Sequence, residues 1–183
     1  MSYSLVSRKS VLKWEIAGFL FIVVIGSMLH FVFEWSGRLS WVALFAAVNE
    51  STWEHLKLAF FPAIIFASFE CPFISNKVKN FSVAKILSFY VMPLLIIVLF
   101  YLYLIILRKD SLFWDIFIFV FSVGMGQIVS YKILVSKEFS KTIRSTFKVL
   151  LLFILIAFLF FTYLPPHNFL FKDPISGGYG IIK

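Results

Sequence analysis

Asn49-Glu50-Ser51-Thr52-Trp53-Glu54-His55-Leu56-Lys57 is a dense polar run inside an otherwise almost continuously apolar chain. It offers two carboxylates, an imidazole, an ammonium and two hydroxyls within nine residues. Such groups persist beside hydrocarbon only when they face a protein interior, a partner or water, so the run is the first candidate site. Glu50, Ser51, Glu54, His55 and Lys57 are its candidate catalytic residues: carboxylates for general base work and an imidazole for metal ligation or proton transfer. The remaining histidines, His30 and His167, with Glu34 and Asp173, extend the candidate metal ligands to His30, His55, His167, Glu34 and Asp173. Nitrogen and oxygen donors of this kind suit zinc or another divalent ion, although their spacing matches no His-Glu-x-x-His element.

The elements that must position these groups are membrane helices. Of 183 residues, 61% are hydrophobic and 14% charged, and the mean hydropathy is +0.97, whereas soluble domains carry roughly 25% charge. The sequence therefore predicts an all-α integral membrane bundle forming one domain over residues 1–183, with no room for a separate soluble unit. Apolar stretches place helices at about 16–33, 52–70, 85–107, 112–135 and 146–164. Residues 39–48 are too short to span and read as a re-entrant or interfacial half-helix. Pro165-Pro166 ends the fifth helix and begins a tail over residues 165–183. Ser51 with Glu54 predicts a capping box at the start of the second helix, and Glu54 is spaced to neutralise Lys57. Pro62 and Pro93 are expected to bend their helices. Rows of small residues, Gly18-Ile22-Gly26, Ala59-Ala63-Ala67 and Ser122-Gly126-Ser130, predict close helix approach. Cys71, the sole cysteine, excludes an internal disulfide and a cysteine-based zinc cluster.

The net charge of +8 reads as membrane topology and not as a nucleic-acid surface. Eleven Lys and Arg flank the ends shared with the N-terminus, against five at the opposite ends. The positive-inside rule then gives a cell-membrane protein with its N-terminus cytoplasmic and its C-terminus outside. All three histidines and the Glu50 region fall on the outer side, and the tail is expected to fold back over them.

The Asn49–Lys57 run, with Glu34-Trp35-Ser36-Gly37 before it and Pro165-Pro166-His167 and Asp173-Pro174 after it, resembles an uncharacterised family of small prokaryotic multi-pass membrane proteins over most of the chain. That resemblance implies membership and brings no activity. Locally, Ser51 and His55 resemble the Ser-x-x-x-His element of alkaline-ceramidase-like membrane metal hydrolases, whose later His-x-x-x-His pair this chain lacks. Three function classes stay open. The leading one is a membrane-embedded metal-dependent hydrolase acting on a lipid or small molecule, with Glu50 or Glu54 as base. The second is a small-solute or ion transporter using Glu50, Glu54 and Lys57 as a relay. In the third, the same groups form a polar network in a structural or assembly protein that binds a membrane partner.

Overall fold

A computed structural model describes residues 7–181. Five long helices carry the chain: α1 Arg8–Trp35, α2 Thr52–Ile74, α3 Phe81–Leu107, α4 Leu112–Leu134 and α5 Lys141–Tyr163. All five are long and apolar enough to cross a membrane. The shortest have 23 residues, roughly 35 Å at ~1.5 Å per residue, against a hydrocarbon core of ~30 Å. The fold is all-α. Among the described residues strand pairing is limited to one isolated bridge, Lys172 with Tyr179.

Two helices begin earlier than their apolar stretches do, because a serine caps each. Ser7 Oγ accepts from Ser10 N at 3.2 Å, and Ser140 Oγ accepts from Ile143 N at 3.3 Å. Each cap satisfies one of the amides that a helix start leaves without a partner, which extends α1 and α5 outward through Arg8 and Lys141. Both α2 and α3 run on through Pro62 and Pro93.

Residues 39–48 form turns around a single 3-10 element, Val42–Leu44, in place of the α-helical half-helix expected there. Val42, Ala43, Ala46 and Val48 pack with Phe33 into a small apolar cluster, while Leu39, Trp41 and Phe45 stay exposed. Small residues at 43, 46 and 47 let this segment lie close against its neighbours, so packing, not a continuous helical ladder, fixes its path.

The small-residue rows mark the tight crossings. Gly26 abuts the backbone carbonyl of Leu58 and the Phe119 ring, leaving no room for a Cβ. Gly126 abuts Met92 on α3. On α1 the buried row runs Val11, Glu15, Gly18, Ile22 and Gly26, then moves to Phe33. A four-residue step drifts about 40° around a helix of 3.6 residues per turn, so Glu34, formally on the same row, turns out of the bundle. The bundle centre is aromatic: Phe158 of α5 packs at a tilt against Phe60 and Trp53, with ring centroids 4.5 and 4.9 Å away.

Candidate metal centre

The start of α2 is held by three unrelated segments. Ser51 N donates to Asn49 Oδ1 at 2.8 Å, an Asx turn. Trp53 N donates to the backbone carbonyl of Leu170 at 3.0 Å, so the tail caps a helix amide that lacks an internal partner. Glu54 accepts from Val48 N at 3.1 Å and pairs with Lys57 Nζ at 2.5 Å. The expected capping box is therefore absent: Ser51 makes no side-chain cap. Its Glu54 partner is drawn inward by an ammonium that would otherwise be alone in a closed interior. Lys57 is completed by the Ala43 carbonyl at 2.8 Å and Thr162 Oγ1 at 2.9 Å. Glu54 and Lys57 thus bind α2 to the 39–48 segment and to α5, and both are buried.

Glu50 stays outside that pair. Its Oε2 lies 3.4 Å from His55 Nε2 and 3.9 Å from His30 Nε2, and the two imidazole rings are 5.1 Å apart. One ligand-capable atom from each of His30, Glu50 and His55 falls within 4.8 Å of the others. On the far side of its ring, His55 Nδ1 is 2.9 Å from the Ser51 carbonyl oxygen. A carbonyl can only accept, so Nδ1 carries a proton: a neutral His55 presents the Nε2 lone pair to Glu50, and a protonated one donates its Nε2–H to the carboxylate. A lone pair and a carboxylate oxygen repel across 3.4 Å unless a proton or a cation lies between them. Ligating histidines are commonly oriented by such a bond from the other ring nitrogen to a backbone carbonyl. His30 Nδ1, by contrast, is buried without a partner. The hydrogen bond from His55 is the main reason that the Glu50 carboxyl lies below its usual range, with the charges of both imidazoles adding to it against partial burial.

The tail folds over this end. Asn49 Nδ2 donates to the Gly180 carbonyl at 2.8 Å, the Phe171 ring packs at a tilt against Trp53 at 4.7 Å, and Gly180, at φ +64°, packs against Pro165. Asp173 is buried and fastens the turn: it accepts from Ser176 Oγ at 2.5 Å, Ser176 N at 3.1 Å and Ile175 N at 3.3 Å. Burial would raise its carboxyl, but these bonds and one from the Glu50 backbone N–H hold it below the ordinary value. Asp173 therefore adjoins Glu50 through the backbone. The His167 ring is exposed and stacks on Tyr179 at 4.4 Å, apart from the three-residue cluster. Glu34 is engaged by Arg38, whose Nε and Nη2 donate to it at 2.9 and 2.8 Å.

A second polar centre lies at the opposite end of the bundle, among residues that were not candidates from sequence. Lys85 Nζ is 2.6 Å from Glu15 Oε1 and 2.6 Å from Glu70 Oε2. Ser130 Oγ donates to Glu15 Oε1 at 3.0 Å. The Gln127 amide, with its nitrogen turned toward Glu15, donates to Oε2 at 2.8 Å, and Gly18 leaves the space for it. The available signal was an ionisable residue inside each of three apolar helices, which is a functional pointer in itself.

A model for a family described as of unknown function, DUF6512, matches residues 1–181. No curated protein matches the chain, and no solved structure matches it.

Proposed function

The chain belongs to this family of unknown function, which assigns no activity, and from its own residues we propose a divalent-metal site, with zinc as the type, that serves hydrolysis at the membrane surface. The observation that carries the reading is the orientation of His55: Nδ1–H on the Ser51 carbonyl and Nε2 aimed at Glu50 Oε2, 3.4 Å away. Tetrahedral ligands at ~2.0–2.1 Å from an ion lie about 3.3–3.4 Å from one another, close to that separation. His30 completes a two-histidine, one-carboxylate set, the donor composition of open catalytic zinc sites. An ion bound there would supply Lewis acidity and lower the pKa of a bound water toward neutrality.

The protein's own groups have distinct parts in this reading. Ser51 orients His55, and Asn49 with the tail fixes the backbone that carries Glu50. Glu50 Oε1, the carboxylate oxygen not directed at the imidazoles, takes the proton from the attacking water. Glu54 is committed to Lys57 and Val48 and holds the shape of the site. Glu50 has 42% of its side chain exposed, so a lipid headgroup or small molecule reaches it from the surface. The charge asymmetry supports an outward-facing surface.

Elemental analysis of the purified protein, after incubation with zinc and removal of excess, tests the reading. One divalent ion per chain is expected, with loss of that ion in His55→Ala and His30→Ala proteins that still fold. Folded wild-type protein that stays metal-free would make the His55–Glu50 contact a simple ion pair and remove the hydrolase reading with it.

A further inference from the structure

The second polar centre has an unbalanced charge count. The pair at the other end, Glu54 with Lys57, is one anion to one cation. Here Glu15 and Glu70 share the single ammonium of Lys85. The three side chains are 3%, 0% and 4% exposed as residues. With all of them ionised the centre would hold one net negative charge within the helices, where an uncompensated charge is costly.

The donors around the two carboxylates are unequal. Glu15 receives Lys85, Ser130 and Gln127. Glu70 has only the charge contact of Lys85 at Oε2, and both of its oxygens are buried without a hydrogen-bond partner. Donors favour the ionised form of a carboxyl, so Glu15 is the residue that keeps its charge and Glu70 the one that is neutralised.

Access lies on one side. Val11, Ile74 and Leu134, one turn from the centre along α1, α2 and α4, form an apolar layer with Ala84, the neighbour of Lys85 on α3, each 4% exposed or less. Val11 and Leu134 also floor a recess of about 450 Å³, whose rim carries Arg8, Lys77, Lys79 and Lys137 against Glu138. Four cations to one anion disfavour a metal cation as the ligand, whereas a proton can pass by transfer between water molecules. Among the described residues no other titratable side chain pairs with the triad: α1 presents Glu15, α2 Glu70, α3 Lys85, and α4 the neutral Ser130 and Gln127. The charged groups of the recess lie beyond the apolar layer.

We propose that Glu15, Lys85 and Glu70 form a proton-binding site, loaded from the basic recess, in which Glu70 carries one exchangeable proton. Uptake converts the Glu70 carboxylate to a carboxylic acid and takes the triad from one net negative charge to zero. Lys85 then pairs with Glu15 alone. Release returns Lys85 to both acids and ties α2 to α1 and α3 together.

Infrared difference spectroscopy of the full chain in phosphatidylcholine vesicles, titrated with pH, reads this directly. Wild type is expected to show a buried carboxylic C=O band that disappears as pH rises and does not respond to replacing potassium by sodium. Glu70→Gln removes one protonated carboxyl per chain. Glu15→Gln also removes the band, because one acid and one base remain, and this variant decides the matter if Glu70→Gln fails to fold. Ser130→Ala, which touches only Glu15, leaves the band frequency unchanged. A band that survives Glu70→Gln or Glu15→Gln, that sodium displaces, or that shifts in Ser130→Ala overturns the assignment, as does its absence from wild type.

Discussion

Lys57 Nζ sits 2.5 Å from Glu54 Oε2, and neither side chain is open to solvent. Removing one member of a buried pair leaves an uncompensated charge and costs about 3–5 kcal/mol, whereas removing both is often neutral. Lys57→Met is therefore expected to lower thermal stability strongly. Adding Glu54→Gln should recover most of the loss, with a coupling of more than ~1 kcal/mol in the double-mutant cycle. Additive losses would show that the two charges do not depend on each other.

Asp173 and Glu50 make the tail-covered end of the bundle acid-sensitive. Both carboxyls lie below their ordinary values of 3.8 and 4.5, so each contributes stability that is present above those values and is lost as pH falls through the depressed folded ones. Glu50 is part-exposed and its share is screened; Asp173 dominates. Because Phe171 of the tail packs against the Trp53 ring, tryptophan emission should change as the pH drops below about 4. In Asp173→Asn the emission should be altered at neutral pH and the acid step reduced. An acid step of unchanged size in that variant would assign it elsewhere.

Asp173→Ala should weaken the tail by about 1–3 kcal/mol, since the Ser176 and Ile175 donors lose their acceptor. Limited proteolysis after Leu164 would register this as faster cleavage, with the helices left intact. Equal cleavage of variant and wild type would mean that Trp53 N and Asn49, not Asp173, hold the tail.

Gly26→Ala tests the closest crossing of α1 and α2. The new methyl meets the Leu58 carbonyl, which is backbone and cannot rotate away, so a loss of about 1–3 kcal/mol is expected. Gly124→Ala, where the nearest neighbour is the Phe19 ring at 3.6 Å, should be nearly neutral. Similar melting temperatures for both variants would remove close packing as the reason for glycine at 26.

The orientation expected from charge is open to single-cysteine labelling in a Cys71→Ser background. Ser40→Cys and Lys172→Cys should react with an impermeant reagent from outside, and Asn76→Cys only after permeabilisation. All three replaced residues are exposed. The reverse pattern would invert the protein and place the metal centre on the cytoplasmic face.

The sequence by itself determined the membrane class, the all-α architecture and the five spanning helices, because apolar length against bilayer thickness is a local property of each segment. It also marked Glu54 as spaced to neutralise Lys57, a relation set by helical pitch alone. Helix ends were less legible: α1 and α5 begin at polar, serine-capped turns that hydropathy does not register. Which side chains meet across the bundle depended on helix rotation and crossing, set jointly by every contact. Tertiary structure thus turned Glu34 outward to Arg38, put His167 on Tyr179, gave a tail carbonyl the capping role expected of Ser51, and gathered Glu15, Glu70 and Lys85 from three helices. A single row of residues carries no information on the rotation of a neighbouring helix, so those partnerships existed only once the helices had packed.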